Sequence, residues 1–208
     1  MKKFILLLIL SVSVYSNING QEDVVKNDKT EFNILFVGNS LTYTNDLPQL
    51  VKKYAKRKGI KIKTKMIAYP NYAIIDHWND GKIQKLIVSK TYDYVIIQQG
   101  PSSQSEGRKM LIEDGQKISN LCALYDTKLC YFTVWPSLNY FYTFDGVIKN
   151  HRDAADINSA ILLPVGEVWK NYIDTTDDKQ YYGPDGFHPS KKGSEVAAQV
   201  IVEHLFQL

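Results

Sequence analysis

The segment FNILFVGNSLTYTNDLP, residues 32–48, places one hydroxyl group directly after a short apolar run. The run from Asn33 to Val37 has the composition of a buried β-strand, and Gly38 permits a tight turn. Residues 47–58 have the periodicity of an amphipathic helix, so Ser40 is predicted to lie in a strand-to-helix loop. Such loops, at the carboxyl ends of the strands of an open α/β sheet, bind ligands. Ser40 is therefore a candidate functional residue, with capping of the following helix as the alternative role.

The segment GPDGFHPS, residues 183–190, contains the two groups that a serine nucleophile requires. Asp185 and His188 lie three residues apart in this loop, just before an apolar-periodic helix predicted from Lys191 to Phe206. A serine hydroxyl is a poor nucleophile unless a base accepts its proton, and that base needs a third group to orient it. Ser40, His188 and Asp185 have the chemistry of these three roles.

The two motifs together resemble the SGNH/GDSL hydrolase family. Its G-[DN]-S block corresponds to Gly38-Asn39-Ser40, and its D-x-x-H block corresponds to the segment from Asp185 to His188. The resemblance covers nearly all of the chain after its first residues. It implies a catalytic triad of Ser40, His188 and Asp185, with no metal ion and no organic cofactor.

Alternating strands and helices are predicted between the two motifs. Apolar runs such as YVIIQ and LCYFTVW indicate strands buried on both faces, hence parallel strands covered by helices. The prediction is a three-layer α/β/α sandwich with a five-stranded parallel sheet of flavodoxin-like type; the resemblance implies the strand order 2-1-3-4-5. After the first strand, the predicted strands are Lys61–Ile67, Tyr92–Gln98, Lys128–Trp135 and Ile161–Val165, and the predicted intervening helices are Ile74–Ser89, Ser103–Tyr125 and Asp145–Asn158.

The first residues, MKKFILLLILSVSVYSNINGQ, combine two lysines with an apolar run too short to favour a membrane span. This pattern predicts a signal peptide over residues 1–20, a polar lead-in over residues 21–30 and one domain over residues 31–208. The protein is then secreted or periplasmic, without a stable membrane span after removal of the signal. An uncleaved amino-terminal anchor is the alternative.

Composition argues against some classes of partner and site. The 25 basic and 22 acidic residues nearly balance, which does not favour a nucleic-acid partner. The two cysteines, Cys122 and Cys130, lie in apolar periodic segments, so buried thiols are favoured over a disulfide. No Cys/His cluster has the spacing of a zinc site. The oligomeric state is left open.

The oxyanion hole is the part in which this chain departs from the family. One donor is expected to be the backbone N–H of Ser40. The family's second block usually offers a glycine N–H, but here the segment reads AYPNY, residues 68–72. Asn71 is expected to take the glycine's place because Asn tolerates the left-handed backbone conformation. A simple turn without a catalytic role is the other interpretation.

The family's third block usually supplies an Asn side chain, and here it reads QQGPSS, residues 98–103. Ser102 takes the Asn position in direct alignment. Gln99, beside Gly100, is similar to the Gln-Gly pair of the carbohydrate-acetylesterase branches, so Gln99 is favoured over Ser102 as the donor. Strand alternation sends Gln98 and Gln99 to opposite faces, so at most one is expected to point at the site.

Tyr181 and Tyr182 adjoin the Asp185 loop and are predicted to form a wall for a sugar ring, with packing as the alternative. The aromatic cluster of residues 140–144 carries the same two interpretations. His77 is interpreted as structural, held by Asp76 or by the backbone. The resemblance implies a serine esterase that cleaves O-acetyl or other short acyl groups from carbohydrates. The alternative is an exported carbohydrate-binding or inactive hydrolase-like module.

Overall fold

Five parallel strands form one sheet in the computed structural model of the protein, which describes residues 31–89 and 91–208. The signal peptide and lead-in predicted for residues 1–30 lie outside these residues. The strand order is β2-β1-β3-β4-β5 and every neighbouring pair is parallel, as predicted. The strands are β1 (Glu31–Gly38), β2 (Lys61–Ala68), β3 (Tyr94–Ile97), β4 (Lys128–Phe132) and β5 (Ile161–Leu163).

The apolar run of β1 is continuous because the strand is covered on both faces. Ile34 and Phe36 belong to one buried cluster, whereas Leu35 and Val37 belong to the other. Successive side chains of a strand point to opposite faces, so a strand between two helical layers needs apolar residues at every position. The end of β1, and the turn that follows it, lie between β2 and β3 at the carboxyl edge of the sheet.

Eight α-helices flank the sheet within the described residues. Helices α2, α7 and α8 contribute to the first cluster, α3, α4 and α5 contribute to the second, and α6 contributes to both. The result is the predicted three-layer sandwich. The helices are α1 (Ser40–Tyr43), α2 (Leu47–Arg57), α3 (Ile74–Asp80), α4 (Lys82–Ser89), α5 (Ser105–Leu124), α6 (Phe144–Ile157), α7 (Val165–Thr176) and α8 (Lys191–Phe206).

Two helices differ from the sequence prediction. Helix α7 was not predicted, although Val165, Trp169 and Ile173 recur at a spacing of four and are all buried. Val165 was assigned to the last strand, but β5 ends at Leu163 and α7 begins after Pro164. The single helix predicted for residues 74–89 is divided at Gly81, whose φ of 70° ends α3 in the left-handed conformation.

Cys122 and Cys130 are free and buried, as predicted. Burial raises the pKa of Cys122 to about 12 and raises that of Cys130 further. Within residues 31–89 and 91–208, no helix has the length and apolar character of a membrane span. The same residues contain no group of three or more His, Cys, Asp or Glu side chains that could hold a metal ion.

Candidate active site

A cavity of about 430 Å³ opens at the carboxyl edge of the sheet, among the loops that follow β1, β2 and β3. Ser40, Asn71, Gln99 and Ser102 all line it, so the structure brings together four of the predicted site residues from three separate loops. No charged residue lines this cavity. Its volume lies in the range of small-molecule sites.

Ser40 is the first residue of α1, and Asn39 caps that helix. The Asn39 Oδ1 accepts a hydrogen bond from the Leu41 N–H at 3.1 Å, and the Asn39 amide donates to the Tyr72 carbonyl at 3.0 Å. The helix predicted after Ser40 is α2, whose N-cap is Asp46, so Ser40 caps neither α1 nor α2. The Ser40 N–H donates to no acceptor among the residues that the structure describes. The Ser40 hydroxyl and N–H thus remain available at the cavity wall.

Gln98 holds this turn from the adjacent strand. Its Oε1 accepts from the Asn39 N–H at 2.9 Å and from the Thr42 hydroxyl at 2.7 Å. Gly38 is required for this approach, because a Cβ there would lie 2.4 Å from Thr42 Oγ1 and 2.5 Å from Gln98 Oε1. Gln98 and Gln99 point in different directions, as strand alternation predicted.

Asn71 adopts the left-handed backbone conformation that its side chain tolerates, with a φ of 61°. Its N–H has no acceptor within residues 31–89 and 91–208. The following residue, Tyr72, accepts the hydrogen bond from Asn39, which links the Asn71 turn to the Ser40 turn. The structure therefore gives Asn71 the expected backbone, while its role as an oxyanion donor remains a prediction.

The Gln99 amide is oriented by two hydrogen bonds. Its Oε1 accepts from the Ile74 N–H at 3.3 Å, and its Nε2 donates to the Ser102 hydroxyl at 2.8 Å. Ser102 in turn donates its hydroxyl hydrogen to the Gly100 carbonyl at 3.0 Å. An amide nitrogen carries two hydrogens and a hydroxyl carries one. Gln99 therefore retains one hydrogen for a ligand, whereas the Ser102 hydrogen is already used.

Asp185 and His188 form a direct pair. The His188 Nδ1 lies 2.5 Å from Asp185 Oδ2, and Asp185 Oδ1 accepts from the backbone N–H groups of Phe187 and His188. The His188 imidazole and these two N–H groups lower the pKa of the Asp185 carboxyl. An ionised carboxylate only accepts, so Nδ1 carries the hydrogen and the Nε2 of a neutral His188 carries the lone pair.

Side chains from distant elements hold the carbonyl groups on both sides of His188. The Trp135 indole N–H donates to the Phe187 carbonyl at 2.9 Å, and the Asn45 amide donates to the Pro189 carbonyl at 3.0 Å. Asn45 lies just after α1, with a φ of 56°, so it connects the segment after Ser40 to the His188 loop. Sequence reasoning missed Asn45 and Trp135, because nothing distinguishes them from ordinary loop and core residues.

His77 has a structural contact to the backbone, one of the two predicted partners, while its buried Nδ1 has no hydrogen-bond partner among the residues that the structure describes. Its Nε2–H donates to the Gly38 carbonyl at 2.8 Å, while Asp76 bonds instead to the Ala73 N–H. Burial lowers the pKa of His77 and outweighs the opposing effect of the Gly38 carbonyl. His77 is therefore neutral, and it holds the Gly38 carbonyl in the turn that carries Ser40.

Tyr181 and Tyr182 do not line the cavity. They are only 7% and 6% exposed, and both rings pack against Trp169 in the core. The Tyr182 hydroxyl donates to the Pro136 carbonyl at 2.8 Å. These contacts give both residues the packing role, so the predicted sugar wall is not formed by them.

No protein-family profile and no curated protein matches the chain. Solved structures do match it. A Slackia heliotrinireducens protein assigned to the SGNH hydrolases is 19% identical, with a TM-score of 0.72 over 84% of this chain and 99% of that one. A DUF4886 family protein of Bacteroides uniformis is 17% identical, with a TM-score of 0.71 over 86% of this chain and 84% of that one.

A variant of Axe2, an acetyl-xylooligosaccharide esterase of Geobacillus, is 13% identical. It matches with a TM-score of 0.62 over 84% of this chain and 94% of that one. At these identities the likeness concerns the fold. The chain therefore has the three-layer fold of the SGNH hydrolases, as its two terminal motifs predicted.

Proposed function

We propose that the protein is a serine-dependent carboxylic ester hydrolase. The observation that carries this proposal is the convergence of Ser40, Asn71 and Gln99 on one uncharged cavity, with the Asp185–His188 pair on a loop that Asn45 ties to the segment after Ser40. Each element of acyl transfer has a candidate group. The fold likeness to SGNH hydrolases supports the same assignment.

In the proposed mechanism the Ser40 hydroxyl attacks the ester carbonyl while His188 Nε2 accepts its proton. Asp185 keeps the Nδ1–H of His188 oriented and stabilises the imidazolium that forms. His188 then gives the proton to the departing alcohol, which leaves an acyl group on Ser40. Water, activated by the same histidine, hydrolyses this acyl-enzyme and restores the hydroxyl.

The oxyanion of the tetrahedral intermediate would be stabilised by the Ser40 N–H, the Asn71 N–H and the unused Gln99 amide hydrogen. These donors are held before the substrate arrives, by the contacts to Tyr72, Ile74 and Ser102 described above. Preorganised donors at a developing charge commonly supply the largest catalytic contribution. Gln99 is thus proposed to replace the family's usual Asn.

The proposed substrates are O-acetyl or other short acyl esters of carbohydrates. An uncharged cavity accommodates a neutral ester without the cost of burying an unpaired charge. The similarity in fold to an acetyl-xylooligosaccharide esterase supports the same class. The sequence of residues 1–20 further supports export, so we place the activity outside the cytoplasm.

Hydrolysis assays on acetylated oligosaccharides and small esters test this proposal with the wild type and Ser40→Ala. We expect the wild type to release acetate and Ser40→Ala to lose roughly a millionfold in kcat, with an unchanged thermal midpoint. A phosphonate ester should label Ser40, and mass spectrometry should locate the adduct. Residual activity of Ser40→Ala near the wild-type rate would contradict the nucleophile. Failure of the wild type on every ester would favour the binding-module alternative.

A further inference from the structure

A second cavity, of about 520 Å³, adjoins the first on the side of the segment Leu138–Thr143, a 3₁₀ helix. The two cavities share four wall residues, so they are adjacent, and we call the pair the cleft. Tyr140 and Tyr142 line the second cavity only, and no charged residue lines it. The shared residues are Pro101, Ser103, Gln104 and Phe187.

Tyr140 and Tyr142 are exposed although the segment that carries them is anchored. Their side chains are 59% and 80% exposed, with ring centroids 6.3 Å apart. Phe141, which lies between them in sequence, and Phe144, which follows them, pack in the first buried cluster. Their ring centroids are 5.2 Å apart in an edge-to-face contact. Exposed neighbouring aromatic rings on a rigid support are typical of binding surfaces.

The tyrosine segment is also joined to the loop of the candidate catalytic pair. The Leu138 N–H donates to the Gly186 carbonyl at 2.8 Å, between Asp185 and Phe187. Phe187 itself faces both cavities. The two tyrosines are therefore held at a fixed place relative to His188, which suits recognition of a part of the substrate beyond the acyl group.

We propose that Tyr140 and Tyr142 form a subsite for the rings of a neutral oligosaccharide whose acyl group enters the Ser40 cavity. This inference rests on the proposed function and specifies its substrate. The apolar face of a pyranose stacks on an aromatic ring, and its hydroxyls bond to neutral polar groups such as those of Ser103, Gln104 and Thr143. The absence of charge selects against acidic sugars, since their carboxylates would lose hydration without a partner.

Hydrolysis of two esters by alanine variants tests the subsite. Tyr140→Ala and Tyr142→Ala should each lower kcat/KM on acetylated xylohexaose about tenfold, mainly through KM, and leave ethyl acetate hydrolysis unchanged. Tyr125→Ala, at the far end of α5, removes an exposed tyrosine elsewhere and should change neither. Equal losses on both esters, or a matching loss in Tyr125→Ala, would overturn the subsite.

Calorimetry on the Ser40→Ala background separates this inference from the proposed function. Unacetylated xylohexaose or cellohexaose should bind, an oligogalacturonide should bind at least tenfold more weakly, and Tyr142→Ala should abolish the difference. If wild type hydrolyses no ester but this pattern is observed, the subsite stands and the esterase proposal fails. If esters are hydrolysed but the neutral sugars do not bind, or the tyrosine variants impair only a decanoyl ester, the subsite fails alone.

Discussion

The two halves of the candidate active site are held in opposite ways. The nucleophile turn, residues 38–42, is mostly buried and donates two hydrogen bonds to Gln98, which is 59 positions away from Asn39. The histidine loop, residues 183–190, is mostly exposed or half-buried and is bonded chiefly within itself. Its Gly183 N–H donates to the His188 carbonyl at 2.7 Å, which closes the loop.

This difference explains what each motif needs from the rest of the chain. The spacing Asp-x-x-His builds its own pair, because one carboxylate accepts from the imidazole and from two N–H groups of the same turn. The Gly-Asn-Ser motif depends on the end of β3 for its geometry. Substitutions in the Asp-x-x-His motif should therefore affect chemistry more than folding. Substitutions that disturb the packing of the Gly-Asn-Ser turn should affect both.

The largest expected effect is in the histidine loop. His188→Ala should lower kcat by roughly a millionfold, and Asp185→Asn by about ten-thousandfold, because the carboxylate orients the base but does not transfer the proton. Both variants should keep an unfolding free energy within about 1 kcal/mol of wild type, since neither side chain is buried in the core. Urea unfolding and steady-state kinetics measure the two quantities. Equal kinetic losses would contradict the assigned roles.

The next largest effect concerns Gln99 and Ser102, which line the Ser40 cavity. Gln99→Ala should lower kcat about a hundredfold with little change in KM, because the donor meets a charge that exists only in the transition state. Ser102→Ala should cost less, about tenfold, since Ser102 only positions the Gln99 amide. Kinetics on one activated ester rank the two variants. A larger loss for Ser102→Ala would assign the donor to the hydroxyl.

Gly38→Ala should damage the nucleophile turn through packing. The new Cβ would collide with Thr42 Oγ1 and Gln98 Oε1, so the unfolding free energy should fall by about 1–3 kcal/mol. Gly100→Ala is the matched control for stability, because its Cβ meets nothing within 4 Å and its backbone is not left-handed. Urea unfolding compares them. If Gly38→Ala and Gly100→Ala unfold at the same urea concentration, the close packing of Gln98 and Thr42 against Gly38 does not stabilise the turn.

The smallest expected effects are two pH dependences of stability in different windows. His77 has a lowered pKa from burial, so it is neutral when folded, and its contribution is lost as pH falls below about 6.5, where the unfolded chain takes up the proton. The pKa of Asp185 is lowered by His188 and backbone N–H groups, so its contribution persists to about pH 3.9 and is lost below that.

Differences in unfolding free energy between wild type and each of His77→Gln and Asp185→Asn, measured from pH 8 to pH 3, isolate the two contributions. The His77 difference should change near pH 6 and the Asp185 difference only near pH 3. The Asp185 contribution is a fraction of 1 kcal/mol at most, because solvent screens an exposed pair. If both differences changed over the same pH range, the separate titration of His77 and Asp185 would be contradicted.

Two pairs of tyrosines are candidates for a sugar wall from the sequence, and the structure gives them opposite environments. Tyr181 and Tyr182 pack on Trp169, a residue of the unpredicted helix α7, whereas Tyr140 and Tyr142 face the cleft. The pair next to Asp185 in sequence is the buried one, because Trp169 of α7, a helix not predicted from the sequence, covers both rings.

The sequence by itself determined the alternation of strands and helices, the parallel sheet and the chemistry of Ser40, Asp185 and His188. These follow from local patterns: apolar runs for buried strands, periodic spacing for helices, and motifs whose hydrogen bonds close within a few residues. The tertiary structure alone decided that Asn45 and Trp135 fix the carbonyls beside His188, that Gln98 supports the Ser40 turn, and which tyrosines reach the cleft. Each of these contacts joins residues distant in sequence, so its energy depends on the packing of whole elements and leaves no local pattern to read.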